Sequence, residues 1–502
     1  MKTPFFRRCR CAHRHSERGV TMVFVALAMV AIIGMAALSI DVITLYLAKQ
    51  DAQRAADAAA LAAAKIISVS GITGDPGNVT GNWAVICDTN GLATRVAKAV
   101  ANQNLIGGPV ITPTVRYGPT LNPDCSALNT TGFGVNPIVT VELTRNNLPT
   151  FFSRIWGNRA NNISATATAE VFNPSNSGNS GNQVTGTLIP VQPRCVKPWV
   201  VPNQDPLHPG GIPRCNQGGG PCQKFVELTD GSISNPGISL NGGGATGIIG
   251  ETFWLVPNCD ESNPATCLMR KTPIPMANYN PTPSNPFVPG MPNLLYLPGQ
   301  VSTTPVGVPS CATADEFEEA IGGCDAPDNY TCGLAPGSGG TNVVDLSRNP
   351  EIPTTNAVSC LIHQAPGGDV TAPTGQDYVS SPTMGQPNSY PFQIFAGSSN
   401  PLLNPGPGGA ALSSGSPISV SSSIVSLPIY NHADPGVVLQ NGNSTNVMFV
   451  GFLQVFINAV DPNGNINVTV LNVAGCGRGV ETPVGTAVTA NSPVPVRLVT
   501  SP

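Results

Sequence analysis

The amino-acid sequence predicts an α+β fold: a long N-terminal transmembrane helix extends into a mixed α/β exported region, and a loop-rich, mainly β, disulfide-containing C-terminal region follows. Three observations support this prediction. Val20–Ile40 contains no charged residue, residues 41–67 contain neither Gly nor Pro, and the rest carries most of the 54 Gly and 50 Pro residues. Gly and Pro form about a fifth of the chain, which is below the roughly 25–30% typical of disordered sequences.

The apolar segment has the length that a membrane span requires, because a helix of about 20 residues crosses the hydrocarbon core of a bilayer. Residues 1–18 form a basic tail in which Glu17 is the single acidic residue. Basic residues are retained on the cytoplasmic side, so the tail is expected in the cytoplasm and the residues after Asp41 are expected to be exported. A cleavable signal peptide is the alternative, but its apolar core usually has only about 7–15 residues.

The helix is predicted to continue past the span, so that residues 19–67 form the transmembrane helix and its Ala-rich continuation. Alanines recur along this continuation, at positions 48, 52, 55, 56, 59, 60, 63 and 64. A stripe of small residues lets another element approach a helix closely. Two interpretations follow: the stripe packs on the chain's own exported part, or it pairs with a partner helix.

Residues 68–172 are predicted to form an α+β exported region. Gly91–Asn104 has the apolar spacing of a short amphipathic helix. Val110–Tyr117 and Ile138–Leu143 have the composition of strands, and Asn162–Val171 alternates in period two, as a strand does.

The segment PTFFSRIWG lies between the last two of these strands, opened by Pro149 and closed by Gly157. Its large apolar residues, at 151, 152, 155 and 156, fall on one helical face. They are therefore interpreted as core residues, and no binding role is predicted for them.

Residues 173–182 include SNSGNSGN and are predicted to be a Ser/Gly/Asn linker. Residues 183–502 are predicted to form a Pro/Gly-rich, mainly β ectodomain, because short apolar runs alternate with Pro, Gly and Asn clusters. Within it, Val447–Val460 and Ile466–Val473 flank the turn sequence DPNGN, so a β-hairpin is expected there.

The charge pattern gives no reason to expect nucleic-acid binding. Charged residues make up only 10% of the chain, and the net charge is −4. Because the basic residues of the tail are counted in that total, the exported part is more acidic still, whereas nucleic-acid binding needs a basic patch.

The 14 cysteines favour disulfides. Cys9 and Cys11 precede the span, and an even number, twelve, lies between Cys87 and Cys476. Such a set forms disulfides in an oxidising compartment. Metal binding is the alternative, but the twelve include no Cys-x-x-Cys pair and no His at ligand spacing. Near-neighbour cysteines are candidates for local disulfides: Cys215/Cys222, Cys259/Cys267 and Cys324/Cys332.

The sequence predicts no catalytic, cofactor-binding or metal-binding residues. Gly242–Gly247 fits G-x-G-x-x-G, but the sequence after it reads as a strand, whereas a phosphate-binding loop opens a helix. The acidic cluster within residues 315–328 lacks the spacing of a calcium-binding loop and is interpreted as a solvated turn. The five histidines are scattered, so no enzymatic function is expected.

Residues 17–64 resemble the N-terminal module of TadG-like (TadE/TadG-related) proteins of Flp pilus assembly. The shared features are an Arg-Gly entry, the apolar span, Asp41 at its outer end and an Ala-rich run, here Gln53–Ala60. The Phe-Phe segment followed by a Ser-Ala-x-Ala-x-Ala strand also resembles the exported regions of this family. Some TadG-like proteins carry a von Willebrand-type domain, but Asp345–Asn349 departs from its Asp-x-Ser-x-Ser metal motif, so that domain is not expected.

The resemblance implies a membrane-anchored, non-catalytic structural or assembly component of a Tad (Flp-type) pilus or a related envelope secretion system. The implied partners are other pilus-assembly or envelope proteins and cytoplasmic membrane lipid, and a homo-oligomer or helix pair stays open. The implied location is the bacterial cell membrane, with a single pass, a cytoplasmic N-terminus and a periplasmic or extracellular bulk.

Two alternative functions use the same anchor: a surface-exposed adhesin or binding protein, and a pilin-like subunit cleaved after a glycine. Pilin-like subunits normally carry Glu at the fifth mature position. Cleavage after Gly19 would place Phe24 there, which argues against processing of that kind.

Overall fold

The structure is a computed structural model that describes residues 18–74, 82–125, 135, 137–153, 157, 160–177, 191–207, 223–229, 231–239, 247–257, 274–275, 292–301, 311, 315–324, 330–332, 342–365, 375–379, 390–403, 412–434, 437–439, 442–476 and 488–500. The tail before Arg18, Cys9 and Cys11, residues 178–182 of the predicted linker and the pairs Cys215/Cys222 and Cys259/Cys267 lie outside these residues.

The helices are α1 (Arg18–Ser68), α2 (Ala84–Cys87), α3 (Leu92–Asn102), α4 (Pro174–Ser177), α5 (Glu316–Gly322) and α6 (Glu351–Leu361), with 3₁₀ turns at Ile72–Gly74 and Pro401–Leu403. The strands are β1 (Thr114–Tyr117), β2 (Ile138–Pro149), β3 (Ala160–Val171), β4 (Val191–Pro193), β5 (Trp199–Pro202), β6 (Thr252–Pro257), β7 (Ile274–Pro275), β8 (Asn293–Pro298), β9 (Val343–Asp345), β10 (Tyr378–Val379), β11 (Ile394–Phe395), β12 (Pro417–Ile418), β13 (Ile424–Tyr430), β14 (Val438–Leu439), β15 (Ser444–Asn446), β16 (Phe449–Val460), β17 (Ile466–Gly475), β18 (Val488–Ala490) and β19 (Val496–Val499).

The predicted fold class is confirmed: a long apolar helix is followed by a mixed, strand-rich region with disulfides. The helix expected at Gly91–Asn104 is α3. The strands expected at Ile138–Leu143 and Asn162–Val171 are parts of β2 and β3, and the strand expected at Val110–Tyr117 begins as β1 at Thr114.

An antiparallel sheet in the order β1-β2-β3-β19 forms the first layer of the fold. β2 and β3 pair over most of their length, between Ile138↔Glu170 and Pro149↔Ala160. β19 comes from much later in the chain and pairs with β3 on the other side. Its Arg497 forms an ion pair with Glu170 at 2.9 Å, across 327 residues of sequence.

The second half of α1 lies along β3 in the same direction. Lys49 Nζ donates to the carbonyl oxygen of Ser164, and Gln53 Nε2 donates to that of Thr166 at 3.2 Å. Four helical residues rise about 6 Å and two strand residues about 6.6 Å. The distance between successive contacts is therefore nearly the same along α1 and along β3. The helix is thus a fixed part of this layer.

A closed six-stranded barrel forms the second part of the fold, in the order β13-β16-β17-β6-β8-β5. The predicted hairpin is confirmed as β16 and β17, which pair from Val460↔Ile466 around the DPNGN turn. α6 packs on the barrel through the buried Thr354, whose Oγ1 accepts hydrogen bonds from Trp199 Nε1 at 3.2 Å and Tyr296 Oη at 3.1 Å.

Disulfides join segments that are distant in sequence: Cys87–Cys125, Cys195–Cys324, Cys311–Cys360 and Cys332–Cys476. The predicted local pair Cys324/Cys332 is therefore wrong. Cys324 instead pairs with Cys195, 129 residues away, at a Cα–Cα distance of 4.5 Å. Cys332 pairs with Cys476, 144 residues away, at a Cα–Cα distance of 5.4 Å. Three of the four bonds hold residues 311–360 to each other or to the barrel.

Candidate functional site

The first half of α1 projects away from the folded layers and exposes its apolar side chains. Large hydrophobic residues are exposed from Val20 to Leu47. α1 is long and apolar enough, by length and composition, to cross a membrane. At 1.5 Å per residue, Val20–Leu47 extends over about 42 Å, which matches the roughly 40–45 Å thickness of a bilayer with its headgroup regions.

From Ala48 onward the helix changes environment. All eight alanines of the predicted stripe are buried, and the seven from Ala52 to Ala64 pack in one core with residues of α3 and the sheet. The small side chains are needed because the helix lies between two layers at close range. Of the two interpretations of the stripe, the structure shows the first, packing on the chain's own folded region.

Asp41 marks the point where the exposed and packed halves of α1 meet. Its side chain is only 3% exposed. Oδ1 accepts a hydrogen bond from the backbone N–H of Phe151 at 2.8 Å, Oδ2 accepts one from Ser153 at 2.7 Å, and the N–H of Phe152 lies 3.1 Å from Oδ2 and 3.3 Å from Oδ1. Donation by three backbone N–H groups favours the ionised carboxylate. Asp41 thus attaches the segment after β2 to the helix.

The structure corrects the core interpretation of the Phe-Phe segment. Phe151 is 61% exposed, and Phe152 is only half-buried. Ile155 and Trp156 lie outside the described residues. The helical spacing of four apolar residues does not decide the outcome, because Asp41 fixes the backbone at residues 151–153 and leaves the Phe151 ring facing outward.

A second loop reaches α1 at Ala48, seven residues after Asp41. Gly107 has a positive φ of 58°, and a Cβ there would be only 2.6 Å from Leu148 Cδ1 on β2 and in ordinary contact, at 3.8 Å, with Ala48 Cβ on α1. A glycine therefore fits this close approach. On either side of it, Leu105 and Val110 are exposed.

A buried polar network attaches the far end of α1 to the barrel. Asn472 Nδ2 on β17 donates to the carbonyl oxygen of Ser68 at 2.6 Å and to Gln454 Oε1 at 2.8 Å. Asn472 Oδ1 accepts from Thr73 Oγ1 at 2.9 Å. Asn173 Nδ2 lies 3.3 Å from that hydroxyl and donates to the carbonyl of Val473 at 3.1 Å.

This network was not predicted from the sequence, because Asn472 and its partner Ser68 are 404 residues apart. No local pattern distinguishes Asn472 from the many other asparagines of the chain. Asp41, in contrast, stands out in the sequence as the first charge after the apolar span.

The aspartates that the sequence analysis considered as possible metal ligands, Asp315 and Asp345, have local structural roles. Asp315 Oδ1 accepts from the N–H groups of Phe317 and Glu318, at 2.8 and 3.1 Å, and so caps α5. Asp345 Oδ1 accepts from the N–H of Ser347 at 3.1 Å in a local turn. In the parts of the chain that the structure describes, no three His, Cys, Asp or Glu side chains are grouped to hold a metal ion.

The glycine-rich string at 242–247 is followed by β6, as the sequence predicted. Gly247, the residue of that string that the structure describes, packs on the backbone of Gly237, where an added Cβ would overlap main-chain atoms. Close backbone packing therefore accounts for this glycine.

Near the barrel, the basic side chain of Lys197 is buried and that of His432 is half-buried. Burial lowers the pKa of Lys197 to about 7, and its Nζ donates to the carbonyl oxygen of Gly323 at 2.5 Å. Burial, reinforced by the charge of Lys224, lowers the pKa of His432 to about 4. Both groups therefore carry less positive charge near neutral pH than they would in water.

The arrangement is that of an anchor attached at three levels: by Asp41 at its start, by the alanine stripe along its length and by Asn472 at its end. No curated protein and no solved structure matches this chain. A family model covers the helix that carries these attachments. Residues 19–65 match the family described as putative Flp pilus-assembly TadE/G-like, the family that the N-terminal module resembles.

Proposed function

We propose that this chain is a membrane-anchored structural component of a Tad (Flp-type) pilus or a related envelope secretion system. In this proposal α1 spans the cytoplasmic membrane once, the basic tail stays in the cytoplasm, and the folded region from Ala48 onward is exported. This whole region, of which the predicted ectodomain 183–502 is a part, is called the ectodomain from here on. The ectodomain contacts other pilus-assembly or envelope proteins, and the role is non-catalytic.

One observation carries the proposal: a single helix is apolar and exposed from Val20 to Leu47 and then becomes part of the ectodomain core. The family match covers both halves of that helix. Disulfides support export, because they persist in oxidising compartments. The basic tail supports a cytoplasmic N-terminus.

Rigid attachment of the span supports a structural role. α1 contains no Gly or Pro between Asp41 and Ser68, so no hinge residue separates the span from the ectodomain. Asp41 and Asn472 further restrict rotation of the ectodomain about the helix. Such an anchor suits a component that must present its surface to neighbours in a fixed orientation.

Membrane insertion is tested with a charged span and a matched helix control. Each Lys at the centre of a span costs about 2.5–3.5 kcal/mol of insertion free energy. We expect the double variant Ile32→Lys/Ile33→Lys to lose resistance to carbonate extraction. Ala58→Lys/Ala62→Lys, on half-buried positions of the same helix outside the span, should stay membrane-bound. Soluble wild-type protein would contradict the anchor.

Topology and partners need separate measurements. Protease added to spheroplasts should digest the ectodomain of the wild-type protein and spare an epitope placed before Arg18. Cross-linking of intact cells followed by purification should recover pilus-assembly proteins with the ectodomain. Recovery of none of them, together with binding of the ectodomain to carbohydrate, would favour the adhesin alternative.

A further inference from the structure

We infer that the ectodomain makes a second contact with the bilayer, through exposed apolar residues of two loops beside the exit of α1: Phe151 after β2, with Leu105 and Val110. The bound partner is the lipid surface itself. This inference rests on the proposed membrane anchoring, and it adds a contact that the helix does not supply.

The depth of Phe151 follows from its hydrogen bonds. Its N–H donates to Asp41 Oδ1 at 2.8 Å, so this part of the loop lies at the level where the uncharged span ends. The register of α1 against β3 places the start of β3 at the same level. Lys49 contacts Ser164, and the first residue of β3, Ala160, lies about 13 Å nearer the membrane, which is the rise of eight to nine helical residues. Phe151–Ser153 after β2 and Ala160 at the start of β3 are therefore both level with Asp41.

The second loop lies further out. Gly107 approaches Ala48, which is about 10 Å along the helix axis from Asp41. Leu105 and Val110, which are 55% and 51% exposed, flank this glycine and therefore lie at or just outside the outer limit of the headgroup region, which is about 5–8 Å deep on each side. The side chains thus form a graded apolar surface, with Phe151 at the hydrocarbon boundary and the aliphatic pair above it.

The charges around Phe151 are compatible with lipid. Asp41, an acidic group at this level, is buried and accepts from three backbone N–H groups, so it presents no free carboxylate to the bilayer. Lys49, the next charged residue of the helix, turns its Nζ to the carbonyl of Ser164. Trp and Tyr are enriched at membrane interfaces, and Tyr46 on α1 is exposed between the levels of Asp41 and Lys49.

Lipid is favoured over a protein partner because the patch is continuous with the exposed apolar surface of α1. Val42, Ile43 and Leu47 are exposed on the stretch of helix that starts at Asp41, the residue that holds Phe151. A second copy of the chain bound to this small patch would have to displace lipid from the span as well. Membrane insertion of α1, in contrast, places the loops against the bilayer without any additional partner.

Photo-cross-linking of the full-length protein in vesicles tests this contact. Benzoylphenylalanine replaces one residue at a time, and the protein is reconstituted in phosphatidylcholine/phosphatidylglycerol vesicles, illuminated and analysed by mass spectrometry. Position 151 is the test, and Ile33 in the span is the positive control. Ile352 on α6 is the negative control, because it is about as exposed as Phe151, at 62%, and follows Glu351, whose backbone lies against Gly464 in the turn of the barrel hairpin.

We expect lipid adducts at positions 151 and 33 and no lipid adducts at position 352. Adducts at 33 without adducts at 151 would overturn the inference and leave the anchor intact, whereas no adduct at 33 would overturn the anchor too. Cross-links from 151 to a second protein chain, or equal labelling at 352, would also overturn it. If the 151 variant does not keep the wild-type trypsin pattern, position 105 gives the same test.

Discussion

Ala59 provides the sharpest test of the way in which the anchor is attached. It is fully buried in the alanine stripe, where α1 packs with α3 and the sheet. Ala59→Leu adds three carbon atoms at a position without free space. Because the alanine is already covered, the larger side chain gains little additional burial, and overpacking of a dense core costs about 1–3 kcal/mol.

Ala58→Leu is the matched control, since Ala58 is the neighbouring residue of the same helix and is only half-buried. Alanine and leucine are both good helix formers, and substitutions at such positions usually change stability by less than about 0.5 kcal/mol. The pair of variants therefore separates a packing effect from any general effect of a larger side chain on the helix.

Pulse proteolysis in urea of the full-length protein in detergent micelles measures the difference. With a urea m-value of about 2 kcal/mol/M, the expected loss lowers the Ala59→Leu midpoint by about 0.5–1.5 M, and the Ala58→Leu midpoint stays near that of the wild-type protein. Equal midpoints for both variants, with an altered oligomeric state of Ala59→Leu, would refute the packing and show that the stripe pairs chains.

Four further outcomes are expected. Asp41→Asn weakens the attachment of the segment after β2 and should speed its cleavage by trypsin, and an unchanged rate would contradict the hydrogen-bonded attachment. Asn472→Ala leaves buried partners unsatisfied, at about 1–3 kcal/mol for each group, and should lower the urea midpoint, whereas wild-type stability would contradict the network. Replacing Cys332 and Cys476 by Ser opens a loop of sequence separation 144 and should cost about 5 kcal/mol in the chain-entropy model, so a small midpoint shift on denaturation would argue against this pairing. Lys197 has a pKa of about 7 in the folded protein, which is below its pKa in the unfolded chain. The unfolded state therefore binds more protons, and the free energy of unfolding should rise as the pH is raised from about 7 to 10. Lys197→Met should remove this pH dependence, measured as urea midpoints at pH 7 and 9.

Local patterns predicted the elements that local interactions determine. The uncharged span and the Gly- and Pro-free continuation define α1 because helix length and propensity are read along the chain. The DPNGN turn between alternating runs predicts the pairing of β16 with β17, since turn chemistry fixes the register of a hairpin. The apolar span, Asp41 at its end and the alanine stripe, which form the helical part of the candidate site, could be recognised in the sequence for the same reason.

The remainder depends on contacts between distant residues. Closure of the barrel requires β5 to lie parallel to β13, and no spacing in the sequence specifies that pair. The cysteine pairing failed at Cys324 and Cys332 because near neighbours in sequence are only one of many ways to close a loop. Phe151 was assigned to the core because four apolar residues share a helical face, whereas the Asp41 carboxylate, 110 residues earlier, determines the backbone there.

Pairing of β19 with β3 has a consequence for the order in which the protein is completed. If the chain crosses the membrane from its anchored end, β3 arrives with one hydrogen-bonding edge open and keeps it open until residues 496–499 have followed. An open edge is a site where strands of other chains can add. Between the emergence of β3 and that of β19, the edge at Thr168–Val171 can thus pair with a strand of another chain, and any protection of this edge has to act within that interval.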